Sequence, residues 1–187
     1  MPRADAPRSP AAASVTAARR ASADVLADLR AGTLLDHAFE RRAGGLDARD
    51  RRWAQELLWN TLRRRAWLDA VLAERVRGGL ARLDADVADL LRLGAHQLLF
   101  MRSVPAYAAI AQTVELAKQR HGIGASKLVN AVLRRLDRER LPEEARGADG
   151  LPLPTPTPDD PLDALALAHS HPRWLVARWA ARFGEAE

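Results

Sequence analysis

From Ser14 onward, apolar residues recur at intervals of three and four in successive blocks, each bounded by capping residues and by glycine or proline. Ala18, Val25, Leu26 and Leu29 form the first stripe, with Ser14 placed to cap it and Gly32 to end it. Thr33 is placed to cap a short second helix with Leu34, Leu35, Ala38 and Phe39 on one face, broken by Gly44-Gly45. Asp47 opens a long third segment that carries Trp53, Leu57, Leu58 and Leu62 and continues through Trp67, Leu68, Val71, Leu72 and Val76 to Gly78-Gly79. A bend is expected at residues 64–66. Asp84 caps a fourth block, Val87 to Leu99, whose near-continuous apolar character predicts full burial. Gly94 within it costs helix propensity and leaves room for a second helix. Pro105 suits the first turn of a helix ending at Gly122. The next helix begins near Ser126, turns Leu128, Val129, Val132, Leu133 and Leu136 inward and Arg134, Arg135 and Arg138 outward, and stops at Pro142.

No stretch alternates with period two, and the one hairpin dipeptide, Asp149-Gly150, lies in a proline-rich loop. The expected fold class is all-α. Residues 1–13, with three prolines and no periodicity, read as a flexible arm, and 14–141 as one helical domain. Residues 142–168 read as a proline-rich linker outside the core, with a short helix possible over Leu162 to Ala168. Residues 169–187 end in an amphipathic helix whose Trp174, Trp179 and Phe183 lack an obvious partner, the pattern of a larger portion cut short.

Composition narrows the chemistry. There is no cysteine, which excludes disulfides, thiolate metal sites and cysteine nucleophiles within these 187 residues. No run approaches a membrane span and the start lacks a signal peptide's apolar core, so a cytoplasmic location is expected. There is no glycine-rich phosphate loop, no His-Glu-x-x-His and no Gly-x-Ser-x-Gly. His169 and His171 are the only close histidines, and a solvated pair is the better reading than a metal site. Glu56, Asp69, Glu74 and Glu115 sit on arginine-rich helices and read as intrahelical ion-pair partners. No catalytic or metal residues are expected.

The charge of +5 comes almost wholly from arginine, Lys118 and Lys127 being the only lysines. It makes a polyanion a plausible partner, although GC-rich codon usage explains the same composition equally well. Arginines cluster at 19–20, at 49 with 51–52, at 63–65 and at 134–135. Converging arginines bind a phosphate backbone by displacing its counterions; taken singly, each cluster is also what a solvated helix face looks like. Trp53 reads as core, whereas Trp59 is open to either core packing or base stacking.

The segments LLRLGAHQLLF (90–100), VPAYAAIAQTVELAK (104–118) and KLVNAVLRRL (127–136) resemble, in order and spacing, the NusB-like domain family. RRASADVLADL (19–29) and DRRWAQELLWNTLR (50–63) are similar to its first and third helices. The wording LRLGAHQLL and VNAVLRR is closer to the amino-terminal domain of ribosomal RNA cytosine-5 methyltransferases of the RsmB or Fmu type, and SHPRWLVARWAARFG (170–184) resembles the start of their methyltransferase portion. The resemblance implies two packed helical bundles and a surface that holds ribosomal RNA for a C-terminal S-adenosylmethionine-dependent domain using cysteines, which this chain lacks. It places Arg19, Arg20, Lys127, Asn130 and Arg134 at the RNA, with Arg63 as a weaker match; for Asn130 a structural role is the stronger expectation. The competing readings are a stand-alone antitermination factor that binds leader RNA with a ribosomal protein, and a protein-interaction module without RNA affinity.

Overall fold

A computed structural model describes residues 14–142, 145–146, 151–153 and 158–184. The arm expected at 1–13 lies outside them. The described residues are helical throughout, with no strand: α1 (Ala17–Arg30), α2 (Leu35–Ala43), α3 (Ala48–Arg63), α4 (Arg65–Ala73), a 3-10 turn (Leu80–Arg82), α5 (Ala85–Phe100), α6 (Ala106–Glu139), α7 (Pro161–Ala168) and α8 (Arg173–Phe183). None of these helices is long and apolar enough to cross a membrane.

The helix starts follow local chemistry. Asp47 accepts from the backbone N–H groups of Arg49 and Asp50, and Asp84 from that of Asp86, as their positions in sequence suggested. Thr16 and Leu34, rather than Ser14 and Thr33, stand at the first two N-caps, and neither uses its side chain. Thr33 is engaged elsewhere: its N–H donates to Asp28 O at 3.0 Å, closing the C-terminus of α1 around Gly32. The expected bend falls at Arg64, whose φ of −101° and ψ of 15° separate α3 from α4. Pro105 is an N-cap rather than a first-turn residue.

α1, α2 and α3 form one bundle and α4, α5 and α6 the other, with α5 packed against α1, α3, α4 and α6. α6 is two helical runs that meet at Gly122, where φ is +81°. Its first run lies antiparallel to α5: Arg120 reaches Asp86, while Thr113 and Gly94 touch. Its second run returns parallel to α5, with Leu133 against Gly94 and the Arg140 guanidinium donating to Leu98 O at 3.1 Å. One continuous core fills both bundles. Leu57, Leu58, Trp67, Leu68, Leu91 and Leu133 are fully buried within it, each contributing roughly 1.5–3 kcal/mol.

The proline-rich stretch is not simply a linker outside the core. Leu151 and Leu153 are buried in the main cluster, and the Leu141 N–H donates to Pro152 O at 2.8 Å. Two isolated leucines without periodicity gave no sign of that burial. Beyond, Asp160 caps α7, and α8 packs back on α7 with Ala166 and Val176 buried.

Candidate nucleic-acid interface

Arg19 and Arg20, adjacent in sequence, part company in the fold. Arg20 points outward, its Nη1 donating to Gln119 Oε1 at 3.1 Å. Arg19 turns inward and is 8% exposed. Its Nε donates to Gln97 Oε1 at 2.6 Å, its Nη1 to Gln112 Oε1 at 3.1 Å and Thr16 Oγ1 at 3.2 Å, and its guanidinium lies 4.6 Å from the Trp53 ring centroid. Burial lowers its pKa below the usual arginine value, and these partners are uncharged. The RNA contact expected of Arg19 is not what its geometry offers: the side chain is buried, its Nε and Nη1 donors are used within the fold, and it ties α1 to α3, α5 and α6. Sequence reasoning missed Gln97 and Gln112, which gave no periodic or charge signal.

The second run of α6 presents a different picture. Lys127, Arg134 and Arg138 are exposed, with no carboxylate among the described residues at ion-pair distance, whereas the neighbouring Arg135 is held by Glu139 at 2.7 Å. Arg134 Nε donates to Asn130 Oδ1 at 3.0 Å. The steps 127, 130, 134 and 138 follow one helix face, so Lys127, Asn130, Arg134 and Arg138 form a stripe about 16 Å long. Asn130 thus engages an arginine one turn along its own helix, rather than the cap of a neighbouring helix.

Arg63 is exposed at the end of α3, next to Arg64, whose guanidinium lies 4.3 Å from the Phe100 ring centroid at the C-terminus of α5. Arg20 sits beside Gln119 of α6, one residue on from Arg19, whose Nε meets Gln97 toward the C-terminal end of α5. Arg20 and Arg63 thus stand on different helices with different neighbours.

Most other arginines are committed to the fold. Asp86 receives Arg30 at 2.9 Å, Arg120 at 2.8 and 2.9 Å and His121 at 2.7 Å; Asp89 binds Arg30 and Arg92; Arg120 also reaches Asp24 at 2.7 Å. Burial works against ionising Asp86, but the bonds from His121 and Arg30 and the charge of Arg120 outweigh it and hold its pKa low. Asp69, expected to pair within its own helix, binds Arg92 across α4 and α5 at 2.6 Å, with Arg65 at 3.9 Å. Phe39 meets Trp59 edge-on at 5.0 Å, which places Trp59 against the core, partly buried. No group of three metal-ligating side chains occurs among the described residues.

Known proteins agree with this geometry. The NusB family profile matches residues 16–138. A Mycobacterium tuberculosis protein carrying a methyltransferase name is 34% identical over 178 residues, 90% of this chain and 36% of its own length. The ribosomal RNA small subunit methyltransferase B of Pseudomonas putida is 36% identical over 158 residues, 84% of this chain and 33% of its own. This chain thus spans about a third of the length of these relatives. The solved structure of T. maritima NusB superposes with a TM-score of 0.60 at 23% identity, covering 70% of this chain and 97% of that one. With the helix order, the shared core and the profile in agreement, this chain belongs to the NusB family.

Proposed function

We propose that this chain is the RNA-holding domain of a ribosomal RNA cytosine-5 methyltransferase, acting for a catalytic domain that lies beyond these 187 residues. The observation that carries the reading is the stripe Lys127, Asn130, Arg134 and Arg138, whose three cations share one helix face with no carboxylate among the described residues at ion-pair distance. Such a row suits consecutive phosphates, fixing the register of an RNA without reading its bases. Arg20 extends the surface along α1, and Arg63 is a separate, weaker contact at the end of α3. The stand-alone antitermination role is not favoured, since the similarity to methyltransferase-named relatives runs over most of the chain.

The described residues do not fit S-adenosylmethionine. The groove along α7 and α8, about 740 Å³, is lined by Leu162, Leu165, Val176, Trp179 and Phe183 with two histidines, and has no acidic side chain to meet the cofactor's amino group or ribose hydroxyls. The grooves beside α5 are lined by arginines and aspartates that satisfy one another. Cofactor and nucleophile belong to the portion present in the longer relatives, and the location implied is the cytoplasm, where ribosomal RNA is made.

Binding of a ribosomal RNA fragment across a salt series tests the reading. Replacing Lys127 and Arg134 with Ala should weaken binding and reduce the slope of log K against log salt by about 1.4, at roughly 0.7 per single-strand phosphate contact. An unchanged slope in a folded variant removes the stripe from the interface.

A further inference from the structure

The α7–α8 unit is internally well tied. Asp160 caps α7 and binds Arg173 at 3.0 Å, and the His171 ring stands edge-on to Trp179 at 5.3 Å. α7 closes through paired hydrogen bonds, the Ser170 N–H to Leu167 O at 3.1 Å and the His171 N–H to Ala166 O at 2.9 Å. The residue at the apex of such a turn takes a left-handed conformation that Gly, and then Asn, adopt most readily. Here it is Ser170, with φ of 53°, the one positive-φ residue other than glycine among the described residues.

Local helix chemistry gives no reason for serine at that place, but its hydroxyl has a distant use. Ser170 Oγ accepts from the Trp67 N–H at 3.0 Å, across 103 residues of sequence. Trp67 is the third residue of α4, so its N–H is among the first-turn donors that no intrahelical carbonyl meets. The N-cap of α4, Arg64, offers no side-chain acceptor. α4 is also the helix against which α7 packs.

We propose that Ser170 is an N-cap lent to α4 from the far end of the chain, and that this bond docks the α7–α8 hairpin at the α3–α4 elbow. It is a positioning residue. It sets the hairpin beside the elbow that carries Arg63, Arg64 and Arg65, and so fixes the direction in which the chain leaves the helical domain. The docking stands whatever the domain binds.

Hydrogen exchange on the 187-residue chain with Ser170→Gly, Ser170→Ala and Ser170→Asn tests this. Were Ser170 only the end of α7, Gly would relieve the left-handed strain and slow exchange in the hairpin. If it caps α4, Ser170→Gly and Ser170→Ala speed exchange at the Trp67 amide about fivefold and loosen α7 and α8 together, while the core of α5 keeps its protection. Ser170→Asn, which tolerates the left-handed conformation and keeps an acceptor oxygen, stays near the parent. Unchanged Trp67 exchange in Ser170→Gly, or slower exchange in its hairpin, overturns the proposal.

Discussion

Two buried side chains show how much a single residue's surroundings decide. Arg19 is a buried cation whose hydrogen-bond acceptors are amide and hydroxyl oxygens, so truncating it leaves Gln97 and Gln112 with unmet polar atoms. Arg19→Ala should cost about 2–4 kcal/mol in urea unfolding, and a variant kept folded should retain the salt slope of RNA binding. Arg20→Ala should do the reverse, with little effect on stability and a slope lower by about 0.7. His96, 2% exposed and stacked on Phe100 at 5.2 Å, is held neutral by burial and by the charge of Arg64, its pKa lowered from 6.5 to about 4. Between those values the unfolded chain binds a proton that the folded chain refuses. The contribution is therefore whole above pH 6.5 and is lost as pH falls toward 4, by about 2–3 kcal/mol. Unfolding of His96→Leu measured across that window should show a flatter pH profile than the parent. Asp86, held low by His121, Arg30 and Arg120, and Glu139, held low by Arg135 and Arg75, lose their contributions only as pH falls through and below the ordinary carboxylate range.

Among the helices, two glycines do different work. A Cβ on Gly94 would meet Leu133 Cδ1 at 2.8 Å and Thr113 at 3.0 Å, so this residue sets how closely both runs of α6 approach α5. Gly122 has open space around it and is required for its φ of +81°, the turn that lets α6 double back. Gly94→Ala should cost about 1–2 kcal/mol despite the better helix propensity of alanine. Gly122→Ala should cost at least as much, because φ of +81° with ψ of −171° is a conformation that essentially only glycine adopts, and the penalty there is conformational rather than steric. Comparing the denaturation midpoints of Gly94→Asn and Gly122→Asn with those of the alanine variants separates the causes: at Gly94 the larger side chain should be worse than alanine, whereas at Gly122 the two should cost about the same. Gly94 was legible in sequence as a point of close approach, since a glycine inside an otherwise apolar helix needs such a reason. The helix starts were legible where an aspartate stood one residue ahead, at Asp47 and Asp84, and less so at Thr33, whose backbone was already needed to close α1.

At the scale of the whole molecule, charge is distributed by pairing. Arginines that look equivalent along the chain divide into those paired by Asp24, Asp69, Asp86 and Asp89, which tie α1, α4, α5 and α6 together, and those with no carboxylate partner among the described residues, Arg20, Arg63, Arg134 and Arg138 among them. The RNA-holding role is proposed for Lys127, Asn130, Arg134 and Arg138, with Arg20 and Arg63 as further contacts. The sequence by itself determined the helical class, nearly every helix, the apolar stripes that form the core and the resemblance that led to the family, because periodicity and capping act within a few residues. It also contained the basic stripe, since residues 127, 130, 134 and 138 share a face wherever that helix lies. Only the tertiary structure decided that Arg19 turns inward while Arg20 stays out, that Leu151 and Leu153 join the core, and that Ser170 meets the first turn of a helix 103 residues earlier. Each of these depends on which distant groups become neighbours, and burial and hydrogen bonding are settled by neighbours in space rather than along the chain.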